Sequence, residues 1–175
     1  PVDYAEDSFN DAQAGLDRFY STLKAMKDEV GRGPFPSGAG GGSPILKETR
    51  QNIDSFRTRF EEAMDDDFNT AQALGYFYDL QRNMNSLLDI SKGRPTQEII
   101  SMLNQGLDYF LKTGWVFGLF REDPEQYLAQ RKKEGLKKLN LTEQEILRSM
   151  EERNLARKEK NYKRADEIRK DILSK

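Results

Sequence analysis

The chain has 175 residues, 33% of them charged, and a formal net charge of −2 at pH 7; this length allows one domain with a proper core, or one domain plus a small appendage. It contains neither cysteine nor histidine, which excludes disulfides, thiolate metal sites and the commonest general base, so we expect no catalytic residue and no metal site in it. No apolar run approaches the ~18 residues that a membrane span needs, and the N-terminus lacks a secretory signal, so we expect a cytoplasmic protein.

The first 64 residues contain two segments of helical periodicity separated by a loop. Apolar residues recur at spacings of three and four from about residue 5 to residue 30, and this predicts a first helix with the stripe Phe9, Ala12, Leu16, Phe19, Tyr20, Leu23 and Met26. Glycine, proline and serine make up most of residues 31–44, which predicts a flexible loop. A second helix is predicted over about residues 45–64, with an apolar face of Leu46, Ile53, Phe56 and Phe60.

Two further helices are predicted before residue 123. The third runs from about residue 70 to residue 90 and has the apolar stripe Leu74, Phe77, Tyr78, Met84, Leu87 and Leu88. Thr96 can cap a fourth helix that ends near Gly114 or Gly118, and we expect Trp115 to cover the end of the bundle as a core residue. Four amphipathic helices of comparable length predict an all-α fold, with an antiparallel four-helix bundle over residues 1–123.

The composition changes after residue 123. Residues 124–140 have few large apolar residues and a basic bias, which predicts a short helix and a basic linker. Thr142, with Glu145 three residues later, fits a capping box for a fifth helix, and Asn161 is a possible cap for a sixth. Residues 141–175 are therefore predicted to form a small helical hairpin.

Charge is distributed unevenly between these two parts. Residues 124–175 contain 15 Lys and Arg against 10 Asp and Glu, a net charge of +5, whereas residues 1–123 contain 13 against 20, a net charge of −7. A basic segment of this kind points to an anionic partner. A solvated hairpin stabilised by ion pairs four residues apart would have the same composition, so charge alone leaves both interpretations open.

Three consecutive aspartates, residues 65–67, precede the third predicted helix. As Mg²⁺ ligands they lack EF-hand spacing or a phosphate-binding loop, and as catalytic acids they lack a partner base. The structural interpretation is that Asp67, Asn69 or Thr70 caps the helix while the carboxylates lie at the positive end of its dipole. Asn69 and the glutamine three residues later fit a capping box, and Phe68 would anchor the turn. We therefore predict that this acidic run starts a helix.

Three segments resemble the same protein family, in the same order along the chain. FEEAMDDDFNTAQAL, residues 60–74, resembles a segment of the anticodon-binding helical bundle in cysteinyl-tRNA synthetases. PVDYAEDSFNDAQAGLDRFYSTL, residues 1–23, is similar to the first helix of that bundle, which follows the catalytic region. RNLARKEKNYKRADEIRKDI, residues 153–172, resembles the C-terminal hairpin of the family and is the most specific of the three matches.

The resemblance implies a division of labour within a longer protein. The full enzyme joins cysteine to its tRNA through an adenylate, using ATP bound by a Rossmann-type domain and zinc bound by Cys and His, and none of those motifs is present here. The chain would therefore be the C-terminal tRNA-binding part, with a bundle of the DALR type and no cofactor of its own. It opens with Pro1 and stops before the short tail that is usual in the family, so we expect a truncated hairpin and a catalytic domain in the same parent chain.

The resemblance also assigns RNA contacts to the hairpin. The arginine, the aromatic residue and the aspartate that lie near the anticodon in the family fall on Arg157, Tyr162 and Asp166. These roles are chemically reasonable, because aromatic rings stack on splayed loop bases while Asp and Arg hydrogen-bond to base edges. Phosphate contacts are expected from Lys158, Lys160, Lys163 and Arg164. The alternative for Tyr162 is an aromatic residue packed against Ile168 in a small core.

The predicted function is binding of the anticodon and anticodon stem of tRNA(Cys), with neither a membrane nor DNA as a partner. One alternative is the C-terminal domain of a related cysteine ligase that makes mycothiol, which does not need to read an anticodon; the hairpin motif argues against it. The other is a helical module whose basic segment binds a protein.

Overall fold

The computed structural model describes residues 6–35, 44–138 and 142–173. The helices in chain order are α1 (Glu6–Arg32), α2 (Pro44–Asp65), α3 (Thr70–Ser91), α4 (Gln97–Gly114), α5 (Pro124–Lys138), α6 (Glu143–Lys158) and α7 (Tyr162–Leu173), with a 3₁₀ turn at Trp115–Phe117 after α4. Those three ranges contain no β-strand, so the all-α prediction is confirmed. No helix within them is long and apolar enough to cross a membrane. The chain divides into two compact units, Pro1–Gln126 and Tyr127–Lys175.

Two predicted boundaries need correction. Helix α1 continues through Gly31 and Arg32, and α2 begins at Pro44, so the predicted loop over residues 31–44 is shorter at both ends; residues 36–43 lie outside the described part of the chain. Helix α5 fills most of the segment predicted to be a short helix and a linker. Its glutamine, lysine, glutamate and leucine residues are good helix formers, and their propensity outweighs the lack of an apolar stripe.

The first unit is the antiparallel four-helix bundle that the sequence predicts. Helices α1 and α2 each pack on both α3 and α4. Pairs along α1 and α3, from Thr22 with Gln81 to Glu29 with Ser91, show that these helices run parallel. Contacts of Asn52 with Asn83 and of Arg59 with Asp79 show that α2 and α3 run antiparallel. The bundle therefore has one end where α1 and α3 begin and α2 and α4 end, which we call the N-terminal end.

A cluster of phenylalanine rings fills the core near the N-terminal end. The centroid of the Phe77 ring lies 5.5 to 6.3 Å from the centroids of six other phenylalanine rings, mostly in edge-on geometry. Gly114 permits the close approach of Phe120, because a Cβ atom at this glycine would overlap that ring. Aliphatic side chains and methionine continue the core toward the opposite end, and the most completely buried of them are Leu23, Met26, Ile53, Leu80, Met84, Leu87, Met102 and Leu103.

A buried carboxylate joins α1 and α3 at the opposite end of the bundle. Glu29 is only 4% exposed. Its Oε1 accepts a hydrogen bond from Ser91 Oγ at 2.5 Å, and its Oε2 accepts one from a guanidinium nitrogen of Arg32 at 2.8 Å. Both carboxylate oxygens are thus satisfied, as a buried charge requires. The sequence analysis gave no indication of this contact, because its two partners lie 62 positions apart.

The acidic turn between α2 and α3 is capped by Asn69, and neither Asp67 nor Thr70 is the cap. Asn69 Oδ1 accepts a hydrogen bond from the backbone N–H of Gln72 at 3.1 Å. The predicted capping box is incomplete, because the Gln72 side chain accepts from the Asn69 side-chain amide and the Asn69 backbone N–H bonds to carbonyl oxygens of the preceding turn. Asp65 also ends α2, where the negative end of the helix dipole disfavours a carboxylate, so the run does not serve only the start of α3.

Several residues predicted to be in the core are exposed at the N-terminal end. Phe68 is 73% exposed and Trp115 is 70% exposed, so Phe68 does not anchor its turn and Trp115 does not cover the bundle. Phe9 and Leu74, from the predicted stripes of α1 and α3, are also exposed. Phe68 lies in the turn before α3, and Trp115 lies in the 3₁₀ turn after α4. Phe9 and Leu74 lie near the starts of their helices. At helix ends fewer neighbouring elements are available to cover an apolar side chain.

Candidate RNA-binding site

Helices α6 and α7 form the predicted helical hairpin in the second unit. Thr142 caps α6: its side-chain oxygen accepts from the backbone N–H of Glu145, and the Glu145 carboxylate accepts from the backbone N–H of Thr142 at 2.8 Å. This reciprocal pair confirms the predicted capping box. The two helices pack through the small or β-branched side chains Ala156, Ala165 and Ile168, which are buried. Larger side chains are consequently left on the outside of the hairpin.

The turn between α6 and α7 is a Schellman motif closed by a lysine. The backbone N–H of Asn161 bonds to the carbonyl of Ala156 at 2.8 Å, and the N–H of Lys160 bonds to the carbonyl of Arg157 at 3.1 Å. Lys160 has a φ of 60°, in the left-handed region where glycine is usual in this motif. Asn161 Oδ1 then accepts from the backbone N–H of Arg164 at 3.2 Å, so it acts on the first turn of α7.

Tyr162 lies on the outside of the hairpin and not in its small core. The residue is 60% exposed, although Ile168 on the same helix is buried. Lys163 and Asp166 are exposed as well, and Asp166 follows Tyr162 by four residues and Lys163 by three, so the three side chains share one face of α7. Arg157 and Lys158, both exposed, lie in the last turn of α6 next to the same turn.

The charges around the turn are mostly unpaired. Residues 157–164 contain five cations and one anion. Within the described residues, no ion pair within 4.0 Å is formed by Arg157, Lys158, Lys160 or Lys163, whereas Arg164 contacts Glu167 at 3.5 Å. A cluster of like charges at this density repels itself, and an anionic partner would relieve that repulsion.

The placement of cations at the start of α7 disfavours the interpretation as a merely solvated hairpin. The first turn of α7 contains Lys163 and Arg164 and no acidic residue. Cations at the positive end of a helix dipole are destabilising, by about 0.3–1 kcal/mol each, whereas carboxylates there would stabilise the helix. Arg157 and Lys158 have the favourable placement at the end of α6, so they are compatible with either interpretation.

The structure therefore brings the seven candidate residues to one tip of the hairpin, formed by the end of α6, the turn and the first turns of α7. The sequence analysis did not foresee the left-handed backbone of Lys160. The residue types that usually indicate this conformation are glycine and asparagine, and neither is present at position 160. Among the described residues, no group of three or more Asp and Glu side chains is placed to hold a metal ion.

Known proteins match both a part of this chain and its whole length. Residues 59–121 match the model of the DALR domain family. The cysteine–tRNA ligase of Geobacter metallireducens is 36% identical over 100% of this chain and 35% of its own length. The ligase of Pelobacter propionicus is 38% identical over 100% of this chain and 36% of its own length, and that of Geobacter sulfurreducens is 38% identical over 97% and 33%.

The chain is homologous to the C-terminal third of cysteine–tRNA ligases. It spans about a third of the length of the ligases that it matches. The DALR match begins in the last third of α2 and ends just after the 3₁₀ turn, so it covers α3 and α4 and leaves α1 and the hairpin outside. DALR domains bind anticodons. The hairpin lies within the part of the chain that aligns with the ligases.

Proposed function

We propose that this chain binds the anticodon and anticodon stem of tRNA(Cys) as the C-terminal region of a cysteine–tRNA ligase. In this proposal the catalytic domain, with its ATP and zinc, belongs to the preceding part of the parent chain. The observation that carries the proposal is the tip of the hairpin, where exposed Tyr162 lies among five cations, of which only Arg164 forms an ion pair within the described residues. Unpaired cations around an exposed aromatic ring are the elements that bind single-stranded loop nucleotides.

The tip offers two kinds of contact. Lys158, Lys160, Lys163 and Arg164 would bind phosphates, which contribute affinity without sequence information. Tyr162 would stack on a loop base, with little preference between bases. Asp166 and Arg157 would hydrogen-bond to base edges, so the discrimination between anticodons depends on them.

The proposal is tested in the intact ligase by comparing aminoacylation of wild-type tRNA(Cys) with that of a tRNA altered in the anticodon. Asp166→Ala and Arg157→Ala should each lower the ratio of the two efficiencies. Expressed as a free energy of discrimination, the loss should be about 1–3 kcal/mol per contact. Lys163→Ala should weaken binding of both tRNAs alike and make the salt dependence shallower by about one counterion. An unchanged ratio in both Asp166→Ala and Arg157→Ala would show that the hairpin does not read the anticodon.

A matched control separates local charge from net charge. Arg148→Ala removes one exposed cation from α6, and it lies nine residues before Arg157, about 13 Å along the helix axis from the tip. Its guanidinium pairs with Glu152 at 3.2 Å. It should therefore leave both the anticodon ratio and the salt dependence unchanged, whereas Lys163→Ala makes the salt dependence shallower. An acidic protein that competes as well as tRNA(Cys) would instead identify the hairpin as a module for protein binding.

A further inference from the structure

The N-terminal end of the bundle has an apolar groove between α1 and α3. Its volume is about 540 Å³. Phe9, Ala12 and Leu16 form one wall, and Ala71 and Leu74 form the other. Phe117 and Leu119, which follow α4, form the floor, and polar groups contribute little of the lining. A cleft of this size and composition accommodates several apolar side chains.

Exposed apolar side chains continue from the groove around the same end. We use the name end patch for Phe9, Phe68, Leu74, Trp115 and Val116, all of which are exposed. Phe68 also has a φ of 55°, so the chain holds a large apolar side chain in the left-handed region at an exposed turn. A clustered apolar surface of this kind marks an interaction site in soluble proteins.

The acidic run beside the end patch favours a protein partner over RNA. The three aspartates at residues 65–67 are exposed next to Phe68. Like charges across an interface are destabilising, so phosphates would be repelled here. The complementary partner is a protein surface with an apolar centre and a rim of Lys or Arg.

The location of the end patch identifies that partner. Helix α1 begins at this end, and the ligases that match the chain do so with their C-terminal third, so most of their length precedes α1. We propose that the end patch is the docking surface for the preceding, catalytic portion of the parent ligase, an inference that rests on the proposed function. A covalently attached partner has a high effective concentration, so a modest apolar contact is enough to hold it.

Docking at this end would fix the orientation of the bundle relative to the catalytic portion. The contact involves α1, α3 and the turn after α4, which are the elements that frame the phenylalanine core. Because these elements are rigidly packed, a partner seated on them is held in one orientation.

The proposal is tested by comparing the rates of amide hydrogen exchange in the isolated chain with those in the intact ligase. Amides of residues 9–16 and 70–74 should exchange at least about tenfold more slowly in the intact ligase, because docking adds burial to both walls of the groove. Ala71→Glu places a charge in the groove at the second residue of α3, where a carboxylate favours the helix. This variant should keep the melting temperature of the isolated chain and abolish the added protection in the intact ligase.

Two further variants control the experiment. Ala14→Glu makes the same chemical change at an exposed position of α1 outside the groove, and it should leave the added protection in place. Val116→Lys charges the end patch at a second exposed site, so it tests the proposal independently of whether Ala71→Glu folds. Equal exchange in the isolated chain and the intact ligase, or full protection in both Ala71→Glu and Val116→Lys, would overturn the proposal. The proposal would also be overturned if the isolated chain formed a dimer and Ala71→Glu abolished that dimer, because the end patch would then bind a second copy of the chain.

Failure of this inference is distinguishable from failure of the proposed function. Ala71→Glu should lower aminoacylation of wild-type and anticodon-altered tRNA by the same factor and leave their ratio unchanged. Asp166→Ala should change the ratio and leave the protection at residues 9–16 unchanged. Each experiment therefore reports on one surface only.

Discussion

The substitution Ser91→Ala tests the buried contact at the end of the bundle opposite the end patch. The Ser91 hydroxyl has one proton, and both Glu29 Oε1 at 2.5 Å and the Leu88 carbonyl at 2.8 Å are within reach as acceptors. The charged acceptor forms the stronger bond, so we expect the proton to point to Glu29. Removing the hydroxyl would leave one oxygen of a buried carboxylate without its donor.

The magnitude follows from the burial of Glu29. A hydrogen bond to a charged group contributes about 1.5–3 kcal/mol, and a carboxylate that is 4% exposed cannot replace the donor with water. In a chain of this size, each kcal/mol changes the melting temperature by about 2–4 °C, so Ser91→Ala should lower it by about 3–12 °C. Glu29→Gln keeps the shape and removes the charge, and it should therefore be milder than Glu29→Ala.

Calorimetry of the isolated chain measures this effect on the transition of the bundle. Ser21→Ala is the matched control, because the Ser21 hydroxyl is exposed on α1 and donates to the carbonyl of Asp17 at 2.8 Å. It should change the free energy of unfolding by less than about 0.5 kcal/mol. A Ser91→Ala variant as stable as this control, or a double-mutant cycle with Glu29→Ala that gives no coupling energy, would refute the reasoning.

Three other substitutions have expected outcomes in the isolated chain. Gly114→Ala should destabilise the bundle by about 1–3 kcal/mol in denaturant unfolding, because the new Cβ overlaps the Phe120 ring. Gly75 is an exposed helical glycine with open space around it, so Gly75→Ala should instead stabilise the bundle by up to about 1 kcal/mol. Phe68→Gly should raise the melting temperature slightly, since glycine accepts the left-handed backbone that phenylalanine does not. The pKa of Asp123 lies below its usual value of 3.8, chiefly because the Lys27 ammonium donates a hydrogen bond to its carboxylate. The stability that this pair contributes is present above pH 3.8 and is lost as the pH falls through the lower folded-state pKa. Asp123→Asn should therefore reduce the loss of melting temperature as the pH falls below 3.8, and an unchanged acid limb would contradict this assignment.

Local patterns in the sequence predicted the helices and most of their ends. Thr96 caps α4 by accepting from the backbone N–H of Ile99 at 3.3 Å, and Thr142 caps α6, both as expected. The resemblance to cysteinyl-tRNA synthetases is confirmed by the cysteine–tRNA ligases that match the chain. These features depend on residues within four positions of each other, or on short motifs, so a single sequence contains them in full.

The tertiary structure alone decided which apolar residues are covered. Phe9, Phe68 and Trp115 are as apolar as Phe77, but only Phe77 meets partners from α1, α2 and α4 on all sides. Burial depends on where the neighbouring helices end, and that is set by contacts between residues far apart in the sequence. The burial of Glu29 was also decided by the tertiary structure. A charged side chain predicts a surface position, but the hydrogen bond from Ser91 on α3 makes burial of the carboxylate possible. For the hairpin, the sequence determined which residues are charged, whereas the turn at Lys160 decided that they share one tip.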